Sequence, residues 1–325
     1  MKTVQQLPPA KQLASKPAGS EKIASQQSRW LEFVVTEADA GKIVQDILTG
    51  PMGISRRMIQ KLTRRKAILI NNKPAFLKRA VKAGDTVKAK IRFEEAESLA
   101  AEAMSLDIIF EDEDLLILNK PPGIPVHPTE AGQTGTLSNG VAHHLQQQNL
   151  AAKVRPVHRL DQNTSGVIVF AKNQYAHQHL DNQLRNRELK REYLAVVRGN
   201  ISEDNRSIDL PIGRRPNHPT KRMVTPKGEP AVTHLEVLER LDGSTVVLLR
   251  LETGRTHQIR VHLSHIGHPL WGDRLYGSEN KALIKRQALH ALRLSLTHPR
   301  SRKSLVFQAP VPEDIDKLIG SLKSS

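Results

Sequence analysis

The chain has 325 residues, enough for two or three domains, and 49 Lys and Arg against 33 Asp and Glu give a formal net charge of +16. It contains no cysteine, which excludes a disulfide framework, a thiolate metal site and a thiol nucleophile. No stretch approaches the roughly 18 apolar residues of a membrane span, and the first thirty residues lack the apolar centre of a secretory leader, so a cytoplasmic protein with no membrane partner is expected.

Residues 1–28 are polar, rich in Gln, Ser, Lys and Pro, and read as a flexible basic arm. From about Trp30 a small domain begins. In "ISRRMIQKLTRR", Ile54, Met58, Ile59 and Leu62 fall on one helical side after a cap at Ser55. Arg57, Lys61 and Arg64 share another side and are expected to face RNA phosphates. "AILINNKPA" predicts a strand, an Asn-Asn turn and a second strand, and "AGDTVKAKI" a turn into an alternating strand. Between Ser55 and Arg92 there are thirteen Lys and Arg against one acid, Asp85. The sign then flips: from Phe93 to Asn119 there are nine acids and no Lys or Arg. A surface kept charged only for solubility would rarely be sorted in this way. Nucleic acid is therefore the expected polyanionic partner. The stretch 31–92 resembles the S4 RNA-binding domain, a basic helix pair followed by short strands with a "GD-V" turn. Residues 93–105 read as an acidic linker, with helix as one conformation open to it.

Residues 106–325 form one larger unit of strands and helices. "DLLILNK", "GVIVFAK" and "REYLAVVRG" predict strands, "NQYAHQHLDNQLRNRELK" has helical spacing, and Asp242-Gly243 sits at the turn of a hairpin. The second arm of that hairpin is apolar on both faces at Val246 to Leu249, as expected inside a covered sheet. "HALRLSLTHP" and "SLVFQAP" add two strands before a terminal helix in "EDIDKLIGSL". The fold class is α+β, a small α/β domain followed by a large mixed, largely antiparallel sheet with flanking helices.

Three polar constellations interrupt these apolar runs. "HRLDQNTSG" sets Asp161 beside Arg159 and His158 at the mouth of a buried strand, although Asp, Asn, Thr, Ser and Gly are also ordinary turn formers. "KREYLAVV" places Tyr193 in an otherwise apolar strand. "ETGRTHQIRVHLSHIGH" presents Arg255 on a glycine turn, followed by His257, His262, His265 and His268. The histidine spacing matches no zinc signature, and no phosphate-binding glycine loop, dinucleotide fingerprint or nucleophile elbow is present. No metal and no nucleotide cofactor is therefore expected. What remains is a carboxylate, a phenol and a guanidinium at strand edges. A carboxylate can act on an electron-poor sugar carbon, a phenol can relay a proton, and an arginine can pair with the carboxylate and fix its aim. In so basic a chain the sugar is expected to be a ribose.

"HRLDQNTSGVIVFAK", with "NKPPGIPVHP" before it and "LETGRTHQIRVHLSHIGHPLWGDRLYG" after it, resembles the RluA family of RNA pseudouridine synthases over about residues 106–312. That resemblance implies a cleft at the middle of a mixed sheet and the isomerisation of uridine to pseudouridine in structured RNA, foremost large-subunit ribosomal RNA, by a monomer. Transfer RNA is the alternative substrate, and a non-catalytic RNA-binding protein or chaperone on the same fold is the alternative role. The resemblance implies that Asp161 is the essential aspartate, that Tyr193 stacks on the base, that Arg255 pairs with the aspartate, and that Arg159 fills the gap left by the flipped nucleotide. Asn163, Thr164 and Ser165 read as satisfying loop backbone groups, and His158 carries no acid or base role.

Overall fold

The computed structural model describes residues 29–323, apart from 96, 131 and 278–282, so the arm expected at 1–28 lies outside the described residues. The first unit contains β1 (Trp30–Val34), α1 (Val44–Thr49), α2 (Arg56–Arg64), β2 (Ile68–Ile70), β3 (Lys73–Pro74) and β4 (Thr86–Lys90). Its strands form an antiparallel sheet in the order β1-β4-β2-β3. Helix α2 begins where Ser55 Oγ accepts the Met58 amide at 3.3 Å, and it buries Met58, Ile59 and Leu62. Asn71 and Asn72 both take the left-handed backbone that a two-residue hairpin turn requires. A core of Val44, Ile47, Leu48, Leu62, Val87 and Ile91 lies between helices and sheet.

The acidic segment 93–105 contains no helix among its described residues, in contrast to the helical option. Its carboxylates are taken by partners instead of lining a solvated helix face. Glu95 pairs with Lys61 at 2.9 Å and with Arg155, Glu97 accepts the Val154 amide, and Glu102 accepts the Gly135 amide at 2.6 Å. An extended strap reaches these scattered partners where a helix would not.

The second unit runs β5 (Ile108–Glu111), β6 (Leu115–Lys120), α3 (Leu137–Gln147), β7 (Ser165–Ala171), α4 (Gln174–Arg185), β8 (Lys190–Arg198), β9 (Asn205–Asp209), β10 (Ile212–Arg214), β11 (Arg222–Val224), β12 (Val232–Leu241), β13 (Ser244–Leu251), α5 (Gln258–His265), β14 (Leu289–Thr297), β15 (Ser304–Gln308) and α6 (Glu313–Lys323). Nine strands form one sheet, β5-β6-β7-β14-β8-β13-β12-β9, with β15 also paired to β14. Every pairing in it is antiparallel except β7 with β14. Both faces are covered. Leu116, Leu118, Ile168 and Phe170 pack with α3 and α5 on one face, and Leu115, Ile117, Val167 and Val169 pack with α4 on the other. Leu194, Val196, Val246 and Leu248 meet Ile315, Leu318 and Leu322 of α6. Two-sided burial explains why these strands read as unbroken apolar runs.

The parallel pairing is only two residues long, His290 with Ser165 and Ala291 with Gly166. It marks where the chain enters β7 from the "HRLDQNTSG" loop. Gly166 has φ +114°, and a Cβ there would collide with the Ala291 backbone. Gly166→Ala is therefore expected to destabilise the fold by about 2 kcal/mol or more, measured as a drop in the urea midpoint.

Glu111 at the end of β5 joins two elements, accepting from His144 of α3 at 2.8 Å and from Lys172 after β7 at 2.7 Å. Burial pushes its pKa up, but the His144 hydrogen bond and the Lys172 charge outweigh burial and bring it to about 2 from 4.5. A depressed carboxyl stabilises the fold fully above its unfolded pKa, and this contribution is lost as pH falls from about 4.5 towards 2. Its size is on the order of 2–3 kcal/mol. The free energy of unfolding measured from pH 6 to pH 2.5 should therefore fall less steeply for Glu111→Gln than for the wild type; equal slopes would refute the assignment.

Candidate active site

The loop before β7 is short and held from several sides. Within it the Thr164 amide donates to the Asp161 carbonyl at 3.0 Å. Lys120, at the end of β6 and fully buried, gives its three N–H groups to the carbonyls of Pro121, Ile124 and Gln162, each at 2.8 Å. Burial first and the charge of Arg286 second lower the Lys120 pKa to about 7, with Asp161 opposing. Arg286 donates to the Asn163 carbonyl at 3.2 Å while its other nitrogens hold Asp314 of α6 at 2.7 and 2.9 Å. Ser165 Oγ bonds His290 Nδ1 at 2.9 Å across the parallel pair, and Thr164 Oγ1 accepts from Gln287 at 3.3 Å. The hydroxyls thus tie the loop to β14 and the chain leading into it, instead of only satisfying loop amides.

The Asp161 side chain is 26% exposed, and its Oδ2 accepts from Arg260 Nη1 at 3.0 Å. Arg260 stands in the first turn of α5, and its Nε and Nη2 hold both oxygens of Asp273 at 2.8 Å each. Asp273 is fully buried and also accepts the amides of Leu275 and Tyr276 at 3.0 and 3.2 Å. Burial opposes the charge on Arg260, but the hydrogen bonds and charges of Asp273 and Asp161 prevail and raise its pKa. The guanidinium lies 5.1 Å from the Tyr276 ring centroid, and His257 Nε2 stands 3.9 Å from Asp161 Oδ2. His257 itself has a left-handed backbone (φ +59°) and bonds the Tyr276 hydroxyl at 2.9 Å.

Tyr193 lies on β8, next to β14, and is 4% exposed among Leu160, Val126 and Ala291. Burial raises its pKa, Arg191 opposes, and the charge of Asp161 raises it further, so the phenol stays protonated. Its hydroxyl has no hydrogen-bond partner among the described residues. His158 is buried, and burial followed by the Arg191 charge lowers its pKa to about 3, so the ring is neutral and packed. Arg159 is exposed, with Nη2 donating to Thr256 at 3.2 Å.

Two expected positions are corrected. Arg255 does not reach Asp161: it pairs with Glu229 and donates to the Pro230 carbonyl at 3.0 Å, on the outer side of the turn. The left-handed residue at 257 turns the chain into α5, and the arginine that faces inward is the one five residues later, Arg260. Lys61 is not presented to solvent with Arg57 and Arg64. It reaches Glu95 and, at 3.1 Å, Gln174 of α4, because the acidic strap passes beside it. Lys120, Arg260, Asp273, Tyr276 and Arg286 were not singled out by sequence reasoning; the second arginine of "TGRTHQIR" and the "GD" of "LWGD" were the available signals. Three of the four histidines go to separate partners: His262 to Thr233 and the Leu210 carbonyl, His268 to the Arg198 carbonyl, His257 to Tyr276.

The arrangement is a partly exposed carboxylate, aimed by a guanidinium whose remaining donors are saturated by a buried acid, and its charge is felt by a protonated phenol in an apolar wall. Comparisons with known proteins agree in kind. Residues 114–265 match the RNA pseudouridylate synthase family, and residues 31–87 match the N-terminal domain of the ribosomal pseudouridine synthase RluD. The chain is 46% identical over 299 residues to the RNA pseudouridine synthase YhcT of Bacillus subtilis (strain 168), covering 90% of this chain and 98% of the relative. It is 38% identical to the ribosomal large subunit pseudouridine synthase D of Escherichia coli (strain K12), covering 83% and 87%. Among solved structures, human RNA pseudouridylate synthase domain containing 1 superposes with a TM-score of 0.53 at 27% identity, over 68% of this chain and 96% of that one. By this similarity the chain belongs to the RluA family of RNA pseudouridine synthases, enzymes that convert uridine to pseudouridine within RNA.

Proposed function

We propose that this enzyme acts on large-subunit ribosomal RNA in the cytoplasm, with Asp161 as its catalytic carboxylate, Arg260 aiming it, and Tyr193 against the base. The observation that carries the reading is Asp161 itself, the one partner of Arg260 left partly open to solvent while Asp273 is sealed. The substrate is inferred from relatives named for the ribosomal large subunit and from the basic first unit. A uridine in folded RNA must leave its stack before a side chain can reach its sugar, at a cost of a few kcal/mol. Arg159, exposed on the same loop, would occupy the vacated position. Asp161 then assists cleavage of the N1–C1′ bond, the base turns against Tyr193, C5 bonds to C1′, C5 loses its proton and N1 gains one. The isomerisation balances without a co-reactant. Arg57 and Arg64, both exposed on α2, would neutralise phosphates, a part in which Lys61 is replaced by its bond to Glu95.

Ribosomal RNA fragments tritiated at uridine C5 test the reading by release of label. Asp161→Asn is expected to lower release by about 10³-fold or more while binding persists; release by the variant at the wild-type rate, or none by the wild type, would defeat it. Transfer RNA offered in the same assay decides the substrate. The two arginines should separate cleanly. Arg260→Gln leaves buried Asp273 unpaired and is expected to cost about 3–5 kcal/mol of stability along with activity. Arg255→Gln removes an exposed pair and should change stability by no more than about 1 kcal/mol, with turnover within a few-fold of the wild type.

A further inference from the structure

Outside the site just described, a group of cations gathers where the two units meet. A cleft of about 410 Å³ there is lined by Arg29, Arg65, Lys90, Arg92 and Phe93, with Glu94 at its side. Three cations gather on one ring: Arg65, Lys61 and Lys90 lie 4.6, 5.1 and 5.5 Å from the Phe93 centroid. A ring attracts each of them, but like charges held this close repel one another unless anions intervene. Lys61 has Glu95. Neither Arg65 nor Lys90 has an ion pair among the described residues, and neither has Arg29. Arg92 donates Nη2 to the Glu113 carbonyl, while its buried Nε has no partner. Burial lowers the pKa of Arg92, the charges of Asp114 and Glu113 oppose, and those of Arg300 and Arg29 add to the lowering. The acidic strap neutralises Lys61 and Arg155 and sets Glu94 at the side of the cleft, but it gives Arg65, Lys90 and Arg29 no ion pair among the described residues.

We infer that the cleft between the two units is a second RNA-binding subsite, in which Arg65 and Lys90, steadied on Phe93, hold backbone phosphates of the substrate at a distance from the reacting uridine. The inference rests on RNA being the substrate, and it adds a place and a reach. Lys172, at the far end of β7, also lines the cleft, whereas Asp161 precedes the start of that strand. A strand of seven residues separates the two by roughly 20 Å. At about 3.4 Å per nucleotide along one strand of a helix, that span is on the order of six nucleotides. RNA that extends beyond the target uridine by this length can occupy both places, and shorter RNA cannot. The two-site contact would let the enzyme select a uridine by the fold of the RNA around it and not only by the base.

The experiment uses the full-length protein with Arg65→Gln and Lys90→Gln combined, and compares it with a charge-matched pair on exposed helix positions, Arg185→Gln and Lys317→Gln. Affinity is measured against salt for a long ribosomal hairpin and for a fragment of about five nucleotides around the same uridine, with tritium release followed in parallel. The cleft pair is expected to weaken binding of the long RNA by about 10- to 50-fold near 0.1 M salt, and to make the slope of log affinity against log salt shallower by between 1 and about 2. The advantage of long over short RNA should shrink by the same factor, and the charge-matched pair should reproduce neither change. An unaltered slope, or equal effects from the two pairs, overturns the subsite while leaving catalysis by the wild type intact. Uridine monophosphate titrated onto both proteins provides a further arm: binding lost in the cleft variant with RNA affinity unchanged would make the cleft a mononucleotide site and overturn the RNA assignment. A wild type that binds RNA but releases no tritium defeats the catalytic reading alone, since the salt slopes are still measurable.

Discussion

A single guanidinium shared between two carboxylates of unequal burial organises this enzyme. Arg260 meets Asp273 with two parallel hydrogen bonds in the interior and the partly exposed Asp161 with one. Geometry of this kind is demanding, because burying a charged pair is costly unless every lone pair and proton finds a partner. Asp273 has its partners: the guanidinium and two backbone amides. That completeness is what lets Arg260 offer its last nitrogen outward without becoming mobile, and it converts a carboxylate on a surface loop into one with a fixed direction.

The backbone beneath Asp161 is fixed by the same means, cations turned inward. Lys120 and Arg286 spend their donors on main-chain carbonyls of residues 162 and 163, one from the end of β6 and the other from the segment before β14. A loop following such polar sequence would ordinarily be mobile. Here it is suspended between two strands, and through Asp314 the terminal helix α6 shares the load. This gives a physical reason for the terminal helix to matter to the loop that carries Asp161.

Much of this was legible in the sequence, because burial on both sheet faces writes itself as continuous apolar runs. "VIVFA" and "YLAVV" appear as the central strands β7 and β8, and the Asp242-Gly243 turn joins β12 and β13. Helix α5 was not legible. It buries Gln258, Arg260 and His262 together with Ile259 and Leu263, so it has no polar face for periodicity to find. The arginine exchange has the same origin: Arg255 and Arg260 share one motif, and only the left-handed turn at His257 decides which of them looks inward. Lys120, Arg286 and Lys61 were hidden by a sound rule, that charged residues lie outside, which fails where donors are matched to carbonyls or to a strap of acids. The acidic segment likewise concealed its role until its carboxylates could be traced to partners in both units.

Tyr175 has the widest implication. It belongs to α4 in the large unit, yet it packs fully buried in the core of the small one, and its hydroxyl reaches the carbonyls of Met52 and Pro299. The large unit thus supplies a keystone to its neighbour's interior, and Arg300 adds a clasp to the Trp30 carbonyl. Modules joined in this fashion cannot be shuffled freely in evolution: grafting a different front piece onto this enzyme would strand an aromatic side chain in water unless α4 were rewritten to match.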